Sequence, residues 1–179
     1  MADPILLAKR ADLDTFLASY DPRTTPRYRS SSTDRTVLFG ALANRDTATR
    51  LAIANRLLDD GAAVDVITKD GNLTLLHVLF STHHRIEPEL HLPLLRRLLD
   101  GGAPINVPCW KGGTELAMLV AMMMRDEDKA PMYELFFARP DLNPDVRVGR
   151  RPTVRETIER AGQNRPILYR MMQDWSRRQ

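Results

Sequence analysis

A chain of 179 residues, 43 % hydrophobic, 27 % charged and 6 % aromatic, is long enough to bury a core without a disulfide or metal staple. Its single cysteine, Cys109, excludes an internal disulfide framework and a multi-cysteine zinc site. The net charge is only +3, yet nine arginines stand from Arg147 onward against Glu156, Glu159 and Asp174, which puts the basic excess at the C-terminus.

The chain opens Met1-Ala-Asp-Pro-Ile-Leu-Leu-Ala-Lys-Arg. An acid stands where a secretory leader carries bases, and the apolar run is short. The longest apolar run, Leu116 to Met124, has nine residues, against about 20 for a membrane span. A cytoplasmic chain that does not bind membranes is therefore expected. Ala2 to Asp21 reads as a degenerate helix pair around Ile5, Leu6, Leu7, Leu13, Phe16 and Leu17. Pro22 to Thr33 is a polar loop rich in helix breakers.

From Asp34 the sequence repeats itself. Leu57-Leu58-Asp59-Asp60-Gly61-Ala62-Ala63-Val64-Asp65 aligns with Leu98-Leu99-Asp100-Gly101-Gly102-Ala103-Pro104-Ile105-Asn106 at an offset of 41. Leu135-Phe136-Phe137-Ala138-Arg139-Pro140-Asp141-Leu142-Asn143 follows at 37. Each is preceded by a threonine marker: Thr36-Val37-Leu38-Phe39, Thr74-Leu75-Leu76-His77 and Thr114-Glu115-Leu116-Ala117. Threonine to closing Asp or Asn spans 29, 32 and 29 residues. The extra residues of the middle unit fall around His83-His84-Arg85-Ile86-Glu87-Pro88, which marks a loop.

Each unit predicts a helical hairpin. The threonine hydroxyl can cap a short apolar helix. A longer helix then shows an apolar stripe: Leu51, Ala54, Leu57, Leu58, then Leu92, Leu95, Leu98, Leu99, then Met132, Leu135, Phe136. Gly61 and Gly102 suit the left-handed residue that ends such helices. Leu57, Leu98 and Leu135 should be buried equivalents, and Arg50, Arg56, Arg96 and Arg97 should lie solvated on the outer face.

These markers resemble the ankyrin-repeat family. Asp70-Gly71-Asn72-Leu73-Thr74-Leu75-Leu76-His77 keeps most of the family's unit opening, with Leu75 in place of proline and one added residue before the threonine. Asn106 to Thr114 has the family's spacing from closing Asn to next Thr. Phe39 and Ala117 depart from the family's histidine. The resemblance implies an all-α solenoid of about four to five helix-pair units in one domain. Residues 1–33 would be an N-terminal capping unit and loop, 34–146 three repeats, and 147–179 a basic C-terminal cap. It also implies that His77 bonds its threonine and the neighbouring loop.

No catalytic or nucleotide-binding motif is present, so no enzyme activity, small-molecule substrate or cofactor is expected. Cys109 reads as a passive turn residue. His83, His84 and His91 flank one turn and read as polar turn residues rather than zinc ligands, since no fourth ligand is placed nearby. Asp126-Glu127-Asp128 reads as a helix start, where acids complement the dipole. The C-terminal arginines read as a solvated cap, with an acidic protein ahead of nucleic acid as the alternative, because phosphate binding asks for a larger excess of charge.

The resemblance implies binding of a protein partner through a concave face and loop tips, by a chain that is monomeric when unbound. The residues this assigns to the partner are Lys69, Trp110 and Lys111 on tips, and Ser81, Thr82, Met122 and Met123 at first-helix ends. Small bacterial ankyrin proteins resemble neutralising (immunity) partners of toxins or regulatory adaptors, and the first is the preferred expectation.

Overall fold

The computed structural model describes residues 3–81, 86–109 and 112–179, with Gln163 as backbone only. Among the described residues the protein is all-α, as the periodicity predicts. Ten α-helices are joined by turns, and the only ladder pairing is two isolated bridges, Arg29 to Thr36 and Cys109 to Gly113. The helices are α1 (Pro4–Arg10), α2 (Leu13–Leu17), α3 (Val37–Leu42), α4 (Thr47–Asp59), α5 (Leu75–Leu79), α6 (Pro88–Asp100), α7 (Glu115–Ala121), α8 (Asp126–Phe137), α9 (Val154–Ala161) and α10 (Pro166–Ser176).

They form two rows. The short helices α1, α3, α5 and α7 pack in series, and so do α2, α4, α6, α8 and α10. One continuous core lies between the rows. In α4 the buried face is Ile53, Ala54 and Leu57; in α6 it is Leu94, Leu95, Leu98 and Leu99. The α1–α3 contact depends on Gly40: a Cβ there would collide with the backbone oxygen of Ile5.

Helices α4 and α6 end identically. The Gly61 N–H donates to Leu58 O and the Ala62 N–H to Leu57 O, and Gly102 and Ala103 repeat the pair on Leu99 and Leu98. Gly61 and Gly102 have φ of 82° and 92°, a left-handed geometry that costs glycine nothing. Helix α8 has no such glycine, and its register is displaced by one. Phe136, not Leu135, is fully buried beside Met132 and Tyr133, while Leu135 is only partly buried.

The threonine markers behave unequally. The Thr74 hydroxyl accepts from the His77 N–H, and the His77 ring accepts from the Thr74 N–H, so both caps are made. Thr36 and Thr114 adopt the same extended backbone but make no side-chain cap, contrary to expectation. Phe39 and Ala117 stand where a side chain would have to reach back. In the last pair the capping box recurs with Thr153 and Glu156.

Candidate functional site

The short helices end at one side of the molecule, where their turns and the loop tips bound an open groove of about 1720 Å³. Val78 and Ser81 come from α5 and the turn after it, Leu90 from the first turn of α6, and Met118, Met122 and Met123 from α7 and its exit. Met123 is fully exposed and Leu90 half exposed. The wall nearest α1 carries Lys9 and Arg45; the wall nearest α6 and α8 carries Glu87, Glu89 and Glu127.

Beneath this groove a buried polar network ties adjacent units. The His77 Nε2 lies 3.1 Å from Gly113 O. A carbonyl only accepts, so Nε2 carries the proton and Nδ1 accepts from the Thr74 N–H at 3.1 Å. The Thr74 hydroxyl donates to Glu115 Oε1 at 3.0 Å, and Glu115 Oε2 accepts from the Val107 N–H at 3.1 Å. Glu115 is wholly buried, and desolvation pushes its carboxyl up from 4.5 to about 7. Burial lowers the His77 pKa. With His77 neutral and its Nδ1 without a proton, its 3.6 Å approach to Glu115 is not an ion pair.

A second set of buried polar groups departs from the expectation of a solvated Arg50 and an exposed turn residue at His91. Arg50, His91 and Lys129 each occupy the fourth position of α4, α6 and α8, and all are essentially unexposed. Each turns back into the hairpin of its own unit. Arg50 donates to Asn44 O at 2.7 Å and to Thr47 Oγ1 at 3.1 Å. Its second guanidinium nitrogen donates to His91 Nε2 at 3.0 Å, so His91 carries its proton on Nδ1, which donates to Glu87 O at 2.9 Å. The Lys129 ammonium donates to Val120 O at 3.1 Å and Met122 O at 3.0 Å, satisfying carbonyls at the end of α7. Burial lowers its pKa to about 8. The spacings of 41 and 38 residues were the available signal, concealed because three different side chains fill the position.

Arg50 is thus a correction: it is 1 % exposed, not solvated on the outer face. Arg97 is half-buried and joins α6 to α4 through Asn55 (2.7 Å) and Asp59 (2.7 Å). Arg56 is exposed but held by Asp60 at 2.7 Å. Arg96 is solvated as expected.

The structure brings Ser81, Met122 and Met123 together along the groove. Lys69 is exposed on its tip, where its N–H donates to Thr33 O and its ammonium pairs with Asp34 at 3.0 Å, joining two tips. Thr82, Trp110 and Lys111 lie outside the described residues, as do His83 and His84. Cys109 is buried with a free thiol. Among the described residues no group of three His, Cys, Asp or Glu is placed to hold a metal, and no helix is long and apolar enough to cross a membrane.

Asp126 opens α8 as expected, but its carboxylate serves another helix. Oδ2 accepts the Ile167 N–H at 2.8 Å and the Leu168 N–H at 3.3 Å at the start of α10. In the basic cap Arg155 is not free either. It chelates Asp145 at 2.7 and 2.9 Å, donates to Ser176 at 2.9 Å and lies over the Trp175 ring.

No protein-family model matches the chain, and comparison with curated proteins finds no relative. Among solved structures, the crystal structure of a functionally unknown protein from Leptotrichia buccalis C-1013-b is similar, with a TM-score of 0.76 over 98 % of this chain and 93 % of that one. At 20 % identity the likeness shows a shared fold.

Proposed function

We propose that the chain is an ankyrin-type solenoid whose groove binds one protein partner, with neutralisation of a bacterial toxin as the preferred role and regulatory adaptation as the alternative. The reading is supported chiefly by the groove itself. Exposed Met123 and Leu90 share it with Ser81 and Met122, and methionine makes an adaptable apolar contact surface. An apolar patch with a charged rim is the usual anatomy of an interface. The groove is larger than the roughly 300–1,000 Å³ of small-molecule sites, which favours a macromolecule.

The test is co-purification of the tagged chain with its partner, comparing Ser81→Arg and Met123→Glu in the groove with Arg96→Ala on the outer face. Both groove variants should lose at least about tenfold in affinity, the scale of a central contact, while Arg96→Ala stays near wild type. The opposite pattern would overturn the groove assignment. The nucleic-acid alternative rests on the arginines of 147–179. A steep fall of affinity with salt on a log–log plot would support it.

A further inference from the structure

Among the described residues the groove is electrically polarised along its length, with unpaired charges at opposite ends. Lys9 on α1 and Arg45 just after α3 are exposed and make no ion pair among the described residues; Glu89 in the first turn of α6 and Glu127 in the first turn of α8 likewise make none. The other described arginines on its walls are engaged within the chain. Arg35 pairs with Asp70 at 2.8 Å, Arg125 grips Asp128 at 3.0 and 2.8 Å, and Arg151 has contacts of its own. Because α1, α3, α5 and α7 pack in series, the groove runs from a basic end at α1 and α3 to an acidic, methionine-lined end at α6 to α8. Met118, Met122 and Leu90 lie toward the acidic half, with Met123 fully exposed above it.

Resting on the protein-binding reading, we propose that the groove seats an amphipathic helix of the partner protein. Its apolar face lies on the methionines, its acidic end lies against Lys9 and Arg45, and its basic end lies against Glu89 and Glu127. A helix fits for two reasons. Its backbone is satisfied internally, and the floor offers side chains rather than a sheet edge to extend, since no strand occurs among the described residues. A helix also naturally carries acids at its N-terminal end and bases at its C-terminal end, the arrangement its dipole favours. Charge complementarity of this kind fixes the direction of docking.

The probes are fluorescent, end-blocked peptides of roughly 18 residues, long enough to be helical alone, all with one Leu/Met face. One segregates acids at its N-terminal half and bases at its C-terminal half. A second has the same composition with charges interleaved, a third is the segregated peptide broken by two central prolines, and a fourth lacks the apolar face. Fluorescence anisotropy against the full chain at low salt should show the segregated peptide binding at least about tenfold tighter than the interleaved one, a preference that shrinks as salt rises. The double variant Lys9→Glu, Arg45→Glu should abolish that preference. Both residues are exposed and unpaired, so circular dichroism should show an intact fold. Met123→Glu should weaken both helical peptides. Equal binding of segregated and interleaved peptides, both lost in Met123→Glu, overturns the polarity while leaving the groove as a binding face. Equal binding of the proline-broken peptide overturns the helix. No binding by any apolar-faced peptide beyond the fourth overturns the proposal and counts against the groove reading. Dimerisation of the chain alone, abolished by Met123→Glu, would assign the groove to a second copy and overturn the proposal.

Discussion

At the scale of single residues, the groups that decide the behaviour of this chain are buried and polar. Glu115 holds its proton up to about pH 7, against 4.5 for an ordinary glutamate. A raised folded-state pKa stabilises the fold below the unfolded value, and that stabilisation is lost as pH rises through the folded one. Stability should therefore fall between about pH 4.5 and 7, by roughly 3 kcal/mol for this group. His77 and His91, with lowered values, act in the opposite sense and lose stability as pH drops below about 6.5. Glu115→Gln removes the titration; its one amide oxygen can accept from only one of the two donors, Thr74 and Val107, which adds a loss that does not depend on pH. The difference in urea midpoint between wild type and variant should change steadily from pH 4.5 to 7 and then level off. A constant difference would show that Glu115 is ionised throughout. Lys129→Ala should cost about 2 kcal/mol or more, since it leaves carbonyls at the end of α7 without their donor; equilibrium denaturation at pH 7 reads this directly.

The bond between His77 and its threonine was legible through the resemblance to the ankyrin unit opening, a local motif with the two residues three apart. The Glu115 link was not legible, because it joins residues 41 apart through a side chain that reads as an ordinary first-turn acid. Arg50 was misplaced for a related reason. At three, four and seven residues before Ile53, Ala54 and Leu57 it lies on the buried face, but a charged side chain reads as solvated. The long arginine side chain instead reaches back to Asn44 and Thr47 and forward to His91.

At the scale of elements, the repeat spacing located α3 to α8 because capping glycines and apolar stripes recur together. It failed by one residue in α8, where no glycine pins the helix end and Leu135, Phe136 and Phe137 are all apolar. Packing decides what pattern leaves open: Phe136 meets Phe80 with ring centroids 6.1 Å apart. Leu98→Ala and Phe136→Ala should each cost about 2–5 kcal/mol, whereas Leu135→Ala should cost less than about 2 kcal/mol. Chemical denaturation of the three variants separates the two registers, and a larger loss at Leu135 than at Phe136 would restore the sequence-based one. Gly40→Ala tests the α1–α3 contact. Its Cβ would meet backbone, not a movable side chain, so α1 must shift. Its amide protons should exchange markedly faster while those of α6 stay protected.

At the scale of the molecule, two rows of helices, each packed mainly on adjacent units, leave each end to be closed by something different. At the C-terminal end, closure depends on specific polar ties as well as apolar cover. Helix α10 packs on α8, takes the Asp126 carboxylate at its first amides, and is fastened to α9 by the Arg155 contact with Ser176. Removing residues 147–179 would uncover the side of α8 that packs on α10, including Tyr133, which meets Arg165, and leave Asp126, now 7 % exposed, without its two amide donors. In a linear stack such damage is felt most by the neighbouring pair and fades with distance. The truncated chain should therefore bind a hydrophobic dye and lose solubility. Hydrogen exchange should accelerate in α7 and α8 first, while amides of α3 and α4 keep most of their protection. Loss of protection at all helices together would show one cooperative unit instead of a series. Asp126→Asn should reproduce a weaker form of the same gradient, confined to the start of α10, because the neutral amide oxygen accepts less strongly from the two N–H groups.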